Sequence, residues 1–369
     1  MNGSKIQFDG QFKHQPLIRV GYVGCGGHSR RNVLPSLKYA SVEPVAICAR
    51  SIEKASIYAK EFGFAKAYAG YEEMLAKEEL DAVFICTNND ENMRPIYSKV
   101  ATACLEAGCH VWLEKPPAAT SAELKALKLL AEKKNLQVMT AFKKMFFPVM
   151  EKAKELSLAE EFGGTVLCLL QYPLYLPTVQ ELQDFHNMKP IASASWFLDQ
   201  ICHPVSLMLD LMGHPKSLIY TRSRNGSGIA TFSFENGSVA SLALHYGAAV
   251  NGGMEFTQLI SAKGRHISVY NNTKLTYHRD PPNLGYGVSP SYYAGSLSEV
   301  SSVWEPEFSF GQLYNNSLFL MGYYGEIEYF AQALINKTPA VIGGIDDSIM
   351  STKIFEAFTQ GPNKVIDLK

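Results

Sequence analysis

LIRVGYVGCGGHSR, residues 17–30, decides how the N-terminal half is read. A short apolar run rich in β-formers ends in Gly24, Gly26 and Gly27, and a polar segment that opens a helix follows at His28 and Ser29. Glycines at such a junction let the backbone turn tightly and approach a pyrophosphate. The phosphates then rest on the helix N-terminus, where unpaired N–H groups and the dipole favour an anion. The match to the dinucleotide fingerprint is imperfect, because Ser29 stands in the third glycine position. The strand–loop–helix context favours dinucleotide binding, and the alternative is a glycine-rich turn with no ligand.

Further strands and helices alternate outward from this stretch. VEPVAICA (42–49), DAVFICT (81–87), CHVWLE (109–114) and LQVMTAF (136–142) are short apolar runs. Between them lie the helical patterns SIEKASIYAKEFG (51–63), IYSKVATACLEAG (96–108) and SAELKALKLLAEKKN (121–135). Apolar runs of this length joined by helices imply parallel strands and right-handed crossovers, which is a doubly wound Rossmann sheet. An acid is expected about 20 residues past the glycines to hold a ribose hydroxyl. Ala49-Arg50-Ser51 stands there instead. A guanidinium pairs with phosphate oxygens, so Arg50 and Ser51 favour NADP over NAD. The other reading of Arg50 is a solvated residue at a helix start.

The texture changes after about residue 143. TFSFENGSVASLALHY (231–246) alternates apolar and polar residues on both sides of Asn236-Gly237, and LISAKGRHISVY (259–270) repeats this around Lys263-Gly264. Both are hairpin signals. The expected organisation is an α/β chain: a Rossmann domain over residues 1–142, with an N-terminal arm over 1–16, and an α+β domain over 143–369. The second domain is expected to carry a large, mostly antiparallel, open-faced sheet and to serve substrate binding and oligomerisation. Two closing helices are expected in YYGEIEYFAQALIN (323–336) and DDSIMSTKIFEAFTQG (346–361). Residues 270–314 are rich in Tyr, Pro, Gly and Ser and read as a long irregular insertion.

With 34 Lys plus Arg against 35 Asp plus Glu in 369 residues, no global field recruits nucleic acid or an anionic membrane. No apolar run is long enough to span a bilayer, and MNGSKIQFDGQFKHQP lacks the hydrophobic core of a signal peptide. The seven cysteines form no CxxC pair and read as buried reduced thiols of a cytoplasmic protein, with no metal site.

HVWLEKPPAAT (110–120) carries an apolar strand straight into Glu114, Lys115 and two prolines. A surface turn tolerates this, and so does a reactive lysine held at the carboxyl edge of a sheet. Taken with VGYVGCGGHSR, DAVFICTNN, LEAGCHVWLEKPPA and FLDQICHPVSLMLDLMG, in that order, the chain resembles the glucose–fructose oxidoreductase / inositol dehydrogenase (Gfo/Idh/MocA) family over nearly its whole length. The resemblance implies that Lys115 lies beside a nicotinamide and that Asp199 and His203 face it from a helix of the second domain. It adds Thr87, Asn88, Asn89, Glu114 and Lys115 to the cofactor-binding candidates. His28 is assigned a backbone-like role at the phosphate loop, and His186 a place in a loop.

Physical chemistry gives these residues work to do. Asp199 and His203 are four apart and share one helix face. His203 can take a proton from a secondary alcohol as hydride leaves its carbon. Lys115 can hydrogen-bond the same oxygen and favour the developing alkoxide. Asp199 would orient the substrate or the imidazole. The chain departs from the family pattern at Ser193-Ala194-Ser195-Trp196, at Ser206, at Asn88 and Asn92, and at Lys143-Lys144, so the family's substrate contacts are not carried over. The resemblance implies a ring secondary alcohol or ketone of a sugar, glycoside or cyclitol as substrate, and a homo-oligomer, dimer or tetramer. Two alternatives stay open: a transient-redox deglycosylation enzyme that retains its cofactor, and a non-catalytic nucleotide sensor.

Overall fold

The computed structural model describes residues 16–248, 255–279, 301–307 and 316–369. The chain divides into two compact units. The first gathers the described residues up to Phe146 together with Pro177–Leu207 and Asn316–Gly361. The second holds Phe147–Leu176, the described part of Met208–Asn315, and Pro362–Lys369. The change of texture expected near residue 143 falls at the first crossing, but the chain returns to the first unit twice.

In the first unit, β1 (Ile18–Val23), β2 (Val42–Cys48), β3 (Lys66–Tyr68), β4 (Ala82–Ile85), β5 (His110–Leu113) and β6 (Val138–Thr140) form a parallel sheet. Its order is β3-β2-β1-β4-β5-β6, with the direction of winding reversing between β1 and β4. β3 and the helix α3 (Tyr71–Lys77) escaped the sequence reading because each is short. The helices begin and end on local chemistry. Ser51 caps α2 (Ile52–Phe62) by accepting from the Lys54 N–H, and Gly63 ends it at φ 80°. Thr120 caps α5 (Ser121–Lys134) in the same way, and Asn135 ends it in the left-handed region.

The strands are buried on both faces, which is why they read as continuous apolar runs. On one face Val83, Ile85, Val111 and Leu113 pack with Val100 and Leu105 of α4 (Tyr97–Glu106) and Leu127 of α5. On the other, the Phe84 and Trp112 rings lie 5.0 Å apart, and Phe330 of α10 (Tyr323–Ile335) meets Phe84 edge-on at 6.0 Å. Two carboxylates tie the C-terminal helices to this sheet. Glu328 of α10 accepts from the Ser41 N–H and hydroxyl at 2.7 and 2.9 Å. Glu356 of α11 (Ile345–Phe358) accepts from the Ser121 N–H and hydroxyl at 2.8 and 2.6 Å, at the positive end of α5. These contacts explain why residues 316–361 belong to the first unit.

In the second unit the nine described strands are β7 (Thr165–Tyr172), β8 (Ser217–Arg222), β9 (Gly228–Ser233), β10 (Val239–Leu244), β11 (Phe256–Ser261), β12 (His266–Tyr270), β13 (Lys274–His278), β14 (Ser302–Trp304) and β15 (Ile366–Asp367), in the order β14-β13-β12-β11-β7-β10-β9-β8-β15. The pairings are antiparallel except that β7 (Thr165–Tyr172) runs parallel to β10 (Val239–Leu244). Burial alternates residue by residue along β10 and β11 (Phe256–Ser261), so one face is core and the other half-exposed. The hairpins expected at Asn236-Gly237 and Lys263-Gly264 are both present. α6 (Pro148–Leu158) packs against β12 (His266–Tyr270) and β13 (Lys274–His278) on the core face. Most of the aromatic-rich stretch from 270 to 314, like the N-terminal arm, lies outside the described residues.

Candidate active site

Strand register brings the expected residues to one edge. Val23 is level with Cys48 and with Ile85, and Ile85 is level with Leu113. The ladder continues past the strand ends, where the Gly24, Cys86 and Glu114 N–H groups donate to the carbonyls of Cys48, Val23 and Ile85, each at 2.9 Å. The glycine loop, Thr87 and the Glu114-Lys115 pair therefore emerge together at the carboxyl edge, beside the switch point where ligands of such sheets bind.

The loop fits a dinucleotide. Gly24 adopts φ 112°, and a β-carbon there would stand 2.0 Å from the Cys86 carbonyl oxygen, so the position excludes side chains. Over Gly26 a β-carbon would meet nothing within 4 Å, and over Gly27 only an Arg31 side-chain nitrogen at 3.8 Å, which leaves backbone open to a phosphate. The helix that follows runs through a π-helical turn at Ser29–Val33 into α1 (Leu34–Leu37), and Ser29 is buried within it. The Thr87 hydroxyl is buried with no hydrogen-bond partner among the described residues, as expected of a group that waits for a ligand. Arg50 is exposed two residues beyond β2. Ser51 is engaged as a helix cap and donates to Glu53. Asn88 is exposed, whereas the Asn89 amide donates to the Met93 carbonyl at 3.1 Å and so has a structural partner.

Lys115 and Asp199 meet. The Lys115 ammonium donates to Asp199 Oδ1 at 2.8 Å, and the Gln200 amide bonds the other oxygen. The Lys115–Pro116 peptide is cis. Asp199 and His203 lie on α8 (Ala192–Met212), and their part of this helix clusters with the Rossmann sheet in the first unit rather than with the second. Burial alone would lower the Lys115 ammonium pKa, but the charges of Asp199 and Glu114 outweigh it and hold the pKa above its ordinary value. His203 is buried. Desolvation, then the positive charges of Lys115, Lys144 and Lys143, hold its imidazole well below the usual range, so it is a neutral base at pH 7.

The structure corrects two assignments and adds neighbours. His28 is not confined to backbone contacts: its ring Nε2 bonds Glu114 Oε1 at 2.8 Å, and its Nδ1 bonds the Asn32 amide at 3.1 Å. His186 is the exposed last residue of α7 (Val179–His186) rather than a loop residue. Tyr323 and Glu326 of α10 were missed because they are distant in sequence and sit in an ordinary amphipathic pattern. The Tyr323 ring meets His28 edge-on at 5.8 Å, and its hydroxyl accepts from the Lys143 ammonium at 2.8 Å. α10 comes this close because Gly322, at φ 73°, leaves no room for a β-carbon against the Lys143 carbonyl.

Glu326 is fully buried, and neither of its oxygens has a hydrogen-bond partner among the described residues. Burial, then the Glu114 charge, pushes its carboxyl well above the ordinary range, opposed by Lys143. Its folded pKa exceeds its unfolded one, so the folded state holds the extra proton and stability falls as pH rises through and above the ordinary carboxylate range of about 4.3. Glu326→Gln removes this linkage. Thermal melts are expected to show the variant gaining on the wild type as pH rises from 5 to 8, and parallel melting curves across that range would refute a buried neutral acid.

The comparisons agree with this geometry. Residues 18–142 match the model of an oxidoreductase family with an NAD-binding Rossmann fold. D-xylose 1-dehydrogenase (NADP(+)) 2 of Haloferax volcanii is 27% identical over 359 residues, covering 95% of this chain and 100% of that protein. Trans-1,2-dihydrobenzene-1,2-diol dehydrogenase of Xenopus laevis is 31% identical over 144 residues, which is 38% of this chain and 42% of that enzyme. A dehydrogenase structure from Chromobacterium violaceum superposes with a TM-score of 0.76 at 22% identity, covering 93% of this chain and 94% of that one, and shares the fold. The glycine loop and the switch-point lysine lie within residues 18–142, the part of the chain that matches the Gfo/Idh/MocA oxidoreductase model, and the 27% identical D-xylose dehydrogenase is similar to this chain from end to end.

Proposed function

We propose that this oxidoreductase interconverts a ring secondary alcohol and ketone of a sugar, glycoside or cyclitol, with Lys115, Asp199 and His203 as its acid–base machinery. The observation that carries this is the 2.8 Å contact of Lys115 with Asp199 at the carboxyl edge of the sheet, one helical turn from a buried neutral imidazole. The bound nicotinamide supplies the hydride acceptor or donor. His203 takes the hydroxyl proton of the alcohol, and the Lys115 ammonium hydrogen-bonds the same oxygen as negative charge builds there. Asp199 holds Lys115 charged and aimed. The pentose and dihydrodiol named in its relatives are both ring substrates of modest size, which supports the substrate class.

NADP is the proposed cofactor. Arg50 stands exposed beyond β2, beside the glycine loop, where a 2′-phosphate would lie, and the full-length relative is named for NADP. Fluorescence titration with NADPH and NADH is expected to favour NADPH, and Arg50→Ala to erase most of that preference. Stronger NADH binding by the unaltered protein would refute the assignment. If neither dinucleotide binds and denatured protein releases none, the oxidoreductase mechanism itself fails.

The seven thiols are all buried and free, which fits the reducing cytoplasm we propose as its compartment. No helix among the described residues is long and apolar enough to cross a membrane. The half-exposed face of the second unit's sheet carries Ile229, Ile219 and Val303, all substantially accessible. We assign it to self-association, and a monomer in light scattering at micromolar concentration would refute that.

A further inference from the structure

Trp196, Asp199 and His203 occupy positions i, i+3 and i+7 of α8, so all three stand on one face of the helix. Accessibility changes steadily along that face. His203 is 8% exposed, the Asp199 side chain 28% and Trp196 59%. The stripe that carries the acid–base candidates therefore runs outward, toward the helix N-terminus, and ends on an indole. At about 1.5 Å of rise per residue, Trp196 stands about 4.5 Å along the axis from Asp199 and about 10 Å from His203. Helical side chains lean toward the N-terminus, which carries the indole further out still.

A single exposed apolar residue is ordinary on a protein surface. Trp196 is set apart by the face it shares and by how the chain around it is braced. The indole makes no hydrogen bond and no ring contact among the described residues. Its neighbour Ser195 donates through its hydroxyl to the Met93 carbonyl at 2.8 Å, and the Asn89 amide donates to the same oxygen. Met93 holds φ 59°, a left-handed conformation that L side chains rarely adopt. Asp90 fixes this turn by accepting from the Asn92 and Arg94 N–H groups, each at 2.9 Å. The loop after β4 is thus clamped to the start of α8, and Met93 remains 39% exposed. Ser193 in turn donates to Glu181 at 2.7 Å. The hydroxyls on either side of Trp196 are already engaged, so what this end of the helix offers a ligand is an apolar face.

We propose that Trp196 is a specificity-determining residue that stacks on a second ring of the substrate, so that the substrate is a glycoside. One ring reacts at Lys115 and His203, and the ring joined to it lies on the indole. The inference rests on the oxidoreductase reading above and narrows its substrate class. An indole face is flat and apolar, and either the C–H face of a pyranose or an aryl aglycone covers it with release of water from both surfaces. The axial separation from His203 suits two linked rings rather than one. Trp196 takes no part in proton or hydride transfer. It holds the second ring alike before and during the reaction, so its contribution appears in KM and not in kcat.

The test compares D-glucose and D-xylose with cellobiose and 4-nitrophenyl β-D-glucopyranoside, which add a glycosyl and an aryl ring. Wild type, Trp196→Ala and Trp196→Phe are assayed with NADP+ and with NAD+. Calorimetric titration in the presence of NADPH, where an alcohol cannot react, reads binding apart from turnover. The wild type is expected to favour one two-ring compound over D-glucose in kcat/KM by at least about tenfold. Trp196→Ala should raise the KM of that compound about fivefold to fiftyfold, with kcat and the constants for D-glucose within about twofold. Trp196→Phe should restore most of the loss, and calorimetry should show the same order. Preference for cellobiose identifies a glycosyl second ring, and preference for the nitrophenyl glucoside an aryl one. Where a compound binds without reacting, its loss of affinity in Trp196→Ala decides in the same way. Equal losses for D-glucose would place Trp196 at the reacting ring and overturn the inference, as would an unchanged KM in Trp196→Ala. A fall in NADPH affinity would place the indole against the nicotinamide, and a lower melting temperature with lower kcat would make it structural; either overturns the inference. If the single sugars react and neither two-ring compound reacts or binds, the inference fails while the oxidoreductase reading stands. If no compound reacts or binds, the substrate reading fails first, and the inference with it.

Discussion

Lys115→Met is expected to lower turnover by about 10²- to 10⁴-fold while leaving NADPH binding nearly unchanged. The methionine keeps most of the apolar volume of the stem, so the strand edge and the Pro116 turn stay in place. The ammonium is lost, and with it the donor that meets Asp199 at 2.8 Å and would meet the substrate oxygen. A group that acts only as negative charge develops on that oxygen appears in kcat and kcat/KM together. Equal loss of dinucleotide affinity would instead mark Lys115 as a cofactor anchor. Asp199→Asn separates charge from geometry, since the amide still fills the site beside Lys115 and Gln200 but removes one of the two charges, with Glu114, that hold the ammonium pKa up.

His203 gives the same experiment a pH dimension. Burial and the neighbouring lysines depress its pKa, so the neutral base persists to more acidic pH than an ordinary imidazole. The acid limb of kcat/KM is therefore expected well below pH 6.5. The linkage to stability has the matching sign. Below about pH 6.5 the unfolded chain takes up a proton that folded His203 refuses, so stability falls as pH falls through that range.

Gly24→Ala is expected to cost at least about 3 kcal/mol and to abolish dinucleotide binding. A β-carbon at φ 112° is strained in itself, and this one would stand 2.0 Å from the Cys86 carbonyl oxygen and 2.8 Å from its carbon. Neither backbone can retreat cheaply, because Gly24 donates to Cys48 and Cys86 donates to Val23. Gly26→Ala is the control. Open space surrounds that β-carbon, so the melting temperature should move by no more than about 1 °C, as for an exposed substitution, while a phosphate is kept off the backbone. NADPH affinity should then fall with the fold intact. Unchanged affinity in Gly26→Ala would show that the loop carries no phosphate.

The two glycines also show what is legible in sequence. The order of strand, glycine loop and helix can be read directly, and so can the parallel character of the first sheet, because strands buried on both faces must be apolar throughout. The paired hairpins of the second sheet follow from alternation around Asn236-Gly237 and Lys263-Gly264. β3 has too few residues for any period to register.

The division of labour at the site is a tertiary matter. Lys115, Asp199 and His203 stand out in the sequence because their residue types and spacing carry chemistry by themselves. Which compact unit Asp199 and His203 join depends instead on how the chain returns, and the carboxylates of Glu328 and Glu356 close that packing on Ser41 and Ser121. His28 bonds a carboxylate 86 residues away, and Glu326 comes under the field of the same carboxylate from a C-terminal helix. Local propensity records only near neighbours. The sequence determined the strand-and-helix alphabet, the glycine loop and the three candidate acid–base residues, whereas only packing decided what surrounds them, since long-range charge and hydrogen-bond partners follow from where helices dock.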